Sequence, residues 1–135
     1  MDANEDRALI IRYHPNEMHL FPQGLSHPRV FLSTLQQQVQ EAILASDLVV
    51  VQLSTVGLEA AIAGKPVVAL VNSPLCLSLN FDYQALGVAY AAPDVLRLHE
   101  VIDQALIEGC FAPELSRNAQ AAPLIVNEII NLIDR

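Results

Sequence analysis

Apolar residues come in short runs separated by loop-forming residues, and strand-like runs alternate with helix-like stretches along the chain. Residues 8–13 form one such run, closed by His14-Pro15, and residues 29–32 form a second, following Pro22-Gln23-Gly24 and His27-Pro28. Both predict strands. Ser33 or Thr34 then suits the cap of a helix whose apolar positions Leu35, Val39, Ala42, Ile43 and Ala45 fall near a helical period, ending around Ser46. Residues 48–53 and 66–71 are nearly continuous, valine-rich apolar runs, the pattern of strands buried on both faces of a parallel sheet. Residues 54–63 between them are small and aliphatic, and Gly64 stands where a left-handed helix C-cap is wanted. Strand, helix and strand there predict a right-handed βαβ crossover. A looser stretch, residues 72–87, precedes an expected strand at 88–91 and a helix over 94–108 with Asp94 as its N-cap. A last helix is expected from Pro123 to Ile133, where Leu124, Ile125, Val126, Ile129, Ile130, Leu132 and Ile133 spread over more than one face and ask for cover, either deep in the domain or, the favoured reading, from a partner surface. The order of elements predicts an α/β fold: a doubly wound, Rossmann-like parallel sheet of about five strands with a C-terminal helix.

Composition narrows the picture. A chain of 135 residues with 53% hydrophobic content supports one domain with a core and is short for two. The net charge of −8, with Lys65 as the single lysine and six scattered arginines, provides no basic stripe for a nucleic-acid backbone. It also means that a phosphate ligand must be held by local donors such as backbone N–H groups. Cys76 and Cys110 stand in no metal-binding or redox spacing and read as reduced thiols. Residues 1–7 are polar and acidic, unlike a secretory signal, and no apolar run approaches the ~18 residues of a membrane span. A soluble, cytoplasmic protein is expected.

Candidate chemistry centres on residues 54–59. In open α/β sheets ligands bind beyond the carboxyl ends of the strands, and the turn after Leu53 brings Ser54, Thr55 and the N–H groups of Val56 and Gly57 there. Free amides and the helix dipole favour an anion, hydroxyls add donors, and Gly57 permits close approach. Glu59, four residues after Thr55 on the same face, is the only charge in an otherwise apolar helix and is placed to grip two ribose hydroxyls. The plainer alternatives are an N-cap for Ser54 and an ion pair with Lys65 for Glu59. His14 reads either as a phosphate donor or proton carrier, or as a strand-end turn residue. Asn72 and Ser73, after the strand ending at Val71, are candidate base or sugar contacts or a turn before Pro74. Asp82 and Tyr83 are candidate sugar contacts by location only, and a plain loop role is the favoured alternative. His14, Glu17, His19 and His27 fit no compact metal site, so no metal is expected.

The run Ser54-Thr55-Val56-Gly57-Leu58-Glu59-Ala60-Ala61, continuing to Ala63-Gly64-Lys65-Pro66-Val67, resembles the donor-site segment of GT-B-fold glycosyltransferases and the related UDP-N-acetylglucosamine 2-epimerases. Tyr13-His14-Pro15-Asn16 resembles the strand-end His-Pro of these enzymes and of bacterial sialyltransferases, which pair it with a later Ser/Thr motif. The likeness spans residues 8–108. It implies a donor-nucleotide domain in which Ser54, Thr55, Val56, Gly57 and His14 meet the phosphates and Glu59 meets the ribose. The donor substrate would be a UDP- or CMP-sugar, with no separate cofactor. The implied activity is glycosyl transfer in surface polysaccharide or glycan biosynthesis, or sugar-nucleotide epimerisation. An N-terminal acceptor domain and the first strand with its glycine-rich loop have no counterpart in the 135 residues. The resemblance therefore implies a single truncated domain working with a second domain, a subunit or a homodimer contact through residues 123–133. No residue is assigned as catalytic base, and any association with the inner membrane would come through the partner. The alternative is a non-catalytic α/β module, a remnant or assembly domain, that self-associates through its C-terminal helix.

Overall fold

The computed structural model describes residues 6–14, 16–17, 26–34, 36–79 and 83–111. The chain divides into two compact units, Met1–Ser46 and Asp47–Arg135.

In the first unit, β1 (Leu9–Ile11) and β2 (Val30–Leu32) pair in parallel, with Leu9 opposite Val30 and Ile11 opposite Leu32. Both strands fall within the runs expected from sequence. Arg12, just past β1, donates from Nη1 to Ser33 Oγ at 2.8 Å and to the Thr34 carbonyl at 3.0 Å, tying together the ends of the two strands. This contact changes the next element. The Ser33 hydroxyl expected to cap a helix accepts from Arg12 instead, and Thr34 closes a turn with Gln37, donating to its Oε1 at 3.1 Å and accepting from its N–H at 3.2 Å. The helix, α1 (Val39–Ala45), therefore begins several residues later, with Gln38 in an extended conformation before it and no side-chain cap. It buries Ile43 and ends at Ser46, whose N–H and hydroxyl both donate to the Ile43 carbonyl.

The second unit is built on a parallel three-stranded sheet in the order β3 (Val49–Val51), β4 (Val67–Leu70), β5 (Tyr90–Ala92). The central strand is buried as its valine-rich run predicts, with Val67, Val68 and Ala69 almost wholly inaccessible. β3 departs from that pattern. Val50, on the edge strand β3, is 39% exposed.

Between β3 and β4 runs α2 (Val56–Ile62), burying Gly57, Ala60 and Ala61. Its end follows the local chemistry. Gly64 takes φ 75°, its N–H donates to the Ala61 carbonyl at 3.0 Å, and the Lys65 N–H donates to the Ala60 carbonyl at 2.9 Å. These are the two bonds of a Schellman cap, and glycine supplies the left-handed residue without a Cβ penalty. A short helix, α3 (Pro74–Leu79), occupies the stretch expected to be irregular. Its start was readable after the fact: Pro74 sits at the first helical position and Ser73 Oγ accepts from the Cys76 N–H at 3.2 Å. The buried Cys76 Sγ lies 3.1 Å from the Gln52 carbonyl and 3.4 Å from the Leu70 carbonyl, the two acceptors within reach of its one proton, which ties α3 to the ends of β3 and β4.

α4 (Leu98–Glu108) packs on β4 and β5, with Ala105 buried in one cluster with Val68, Tyr90 and Ala92, flanked by Leu48, Leu70, Leu98, Val101 and Ile102. Asp94 does cap, but not this helix directly. Its Oδ1 accepts from the Arg97 N–H at 2.9 Å, closing an intervening turn before Leu98. Beyond the helix, Tyr90 donates its hydroxyl to the Gly109 carbonyl at 3.0 Å and meets Phe111 edge-on at 5.0 Å between ring centroids. The fold class expected from sequence holds: an α/β chain of Rossmann-like character with five parallel strands, here in sheets of two and three. The helix expected from Pro123 to Ile133 lies outside the described residues. Among those described, no helix is long and apolar enough to cross a membrane.

Candidate functional site

Because β3 and β4 pair in parallel, with Val51 opposite Ala69, their carboxyl ends emerge at one edge of the second unit's sheet. Residues 52–55 and 71–73 follow those ends, as expected of a ligand-facing edge. An open cavity of about 300 Å³ lies there, lined by Leu53, Ser54, Thr55, Leu58 and Tyr83. It is at the small end of the range for ligand pockets.

Ser54 behaves as a helix-start residue. Its Oγ accepts from the Val56 N–H at 3.3 Å, and its carbonyl accepts from the Gly57 N–H at 3.1 Å. Thr55 follows in a helical conformation, is exposed, and accepts from the Glu59 N–H at 3.0 Å through its carbonyl. The amides of Val56 and Gly57, expected to face a phosphate, thus have partners within the turn itself. Glu59 is half-buried, one residue beyond the cavity wall at Leu58.

Tyr83, which the sequence offers as a sugar contact by location only, is one wall of the cavity. It is 1% exposed and among the largest fully buried side chains. The end of its ring covers Gly57 so closely that a methyl group there would stand 2.9 Å from both Cζ and Oη. The small residue in the helix start thus accommodates a tyrosine ring. Burial raises the phenol's pKa above its ordinary value, the nearby backbone of Ser54 and Gly57 acts against the rise, and Cys76 adds to it. The hydroxyl is therefore neutral across the physiological range and can both donate and accept. A signal was present in the sequence: a glycine inside a helix marks a close approach, although it does not say of what.

The remaining candidates are placed as follows. Asn72 is exposed in the turn after β4, while the Ser73 hydroxyl is engaged at the start of α3. Asp82 lies outside the described residues. His14 belongs to the first unit, where it is exposed, accepts from the Asn16 N–H through Nδ1 at 3.2 Å, and accepts from the Glu17 N–H through its carbonyl at 2.8 Å. These are the bonds of a strand-end turn. In the second unit the structure gathers Ser54, Thr55 and Tyr83 around one cavity, with Gly57 covered by the Tyr83 ring. Comparisons of this chain with protein-family models, with the curated proteins and with the solved structures find no match.

Proposed function

We propose that the chain is the donor-binding half of an enzyme that acts on a nucleotide sugar, either a glycosyltransferase or a sugar-nucleotide epimerase. The observation that carries this reading is the cavity beyond the carboxyl end of β3, lined by Leu53, Ser54, Thr55, Leu58 and Tyr83. Hydroxyl-bearing residues beside apolar walls suit a ligand with a flat ring and a sugar, and Glu59, the residue after Leu58, is the carboxylate proposed to meet ribose hydroxyls. The order of the His14-Pro15 and Ser54-Thr55 motifs along the chain supports the same reading. On it, a second domain or subunit supplies the acceptor and the catalytic base, and the work belongs to glycan assembly in the cytoplasm.

The test is binding by the intact chain. UDP or CMP, added to millimolar concentration, is expected to move the amide resonances of residues 53–59. Glu59→Ala is expected to weaken that binding roughly tenfold, the loss of hydrogen bonds to a charged acceptor. No shift from either nucleotide removes the reading. An unchanged affinity in Glu59→Ala removes the ribose role.

A further inference from the structure

We draw no further inference here: the strongest candidate, the apolar surface at and just beyond the end of α4, where Leu106, Ile107 and Phe111 are substantially exposed, carries none because nothing in the structure shows what covers it.

Discussion

Gly57 and Tyr83 show how one residue's smallness is explained by another far along the chain. Replacing a helix-interior glycine with alanine ordinarily gains about 1 kcal/mol of helix propensity. Here the added methyl would stand 2.9 Å from the Tyr83 ring end, and the ring is 1% exposed, so it has little room to move. Overpacking of that kind costs typically 1–3 kcal/mol, so the clash should outweigh the propensity gain. Gly57→Ala is expected to lower the urea midpoint. In a Tyr83→Leu background, where the ring end is gone, the same substitution should become neutral or stabilising. A stabilised Gly57→Ala in the wild-type background would show that Tyr83 is not packed there. A double-mutant cycle measures the coupling directly. In the sequence, Gly57 was legible as a special position because glycine is a poor helix former. Its neighbour was not, since Tyr83 follows a stretch with neither strand nor helix periodicity.

Among the elements, the helix starts separate what local chemistry dictates from what a distant side chain overrides. Asp94 is exposed and its carboxylate accepts from the Arg97 N–H at 2.9 Å. Asp94→Ala is expected to cost about 1 kcal/mol in urea unfolding, while Asp94→Asn, which keeps an acceptor oxygen, should cost a few tenths. Equal losses in the two variants would mean that charge near the start of α4, and not the cap bond, is what stabilises the turn. Ser33 presents the opposite case. Its position before an apolar period reads as a cap, but its hydroxyl accepts from Arg12, twenty-one residues earlier, and α1 starts only at Val39. The overlooked α3 is a third case. Its Ser73-Pro74 start is a genuine local signal, whereas the apolar residues that follow are too few to display a helical period.

For the whole molecule, the two sheets differ in how well their hydrogen bonds are protected. β4 lies between β3 and β5, with Val67, Val68 and Ala69 buried. β1 and β2 make a two-stranded sheet in which Leu9, Ile10, Phe31 and Leu32 are all substantially exposed. Two strands alone are marginal in water, and local opening is cheapest where few apolar contacts hold the backbone. Hydrogen exchange of the intact chain is expected to protect the β4 amides on the order of a hundredfold more than those of β1 and β2. Comparable protection would indicate that the strands of the first unit gain cover beyond the sheet they form with each other.

The sequence by itself determined the parallel α/β class, the strand runs, the β3–α2–β4 crossover with its glycine cap, and the turn at Ser54 beyond the end of β3. Each of these is written in contiguous residues through hydrophobic period or backbone preference, and neighbours along the chain enforce it. Only the tertiary structure decided that Tyr83 covers Gly57, that the amides at the start of α2 have partners within their own turn, that the Ser33 hydroxyl belongs to Arg12, and that the strands form sheets of two and three. The contacts with Tyr83 and Arg12 join residues twenty or more positions apart, and strand partners are likewise distant in the chain. Side-chain size, hydrogen-bond competition and strand partnering settle such matters in space, and no local period records the outcome.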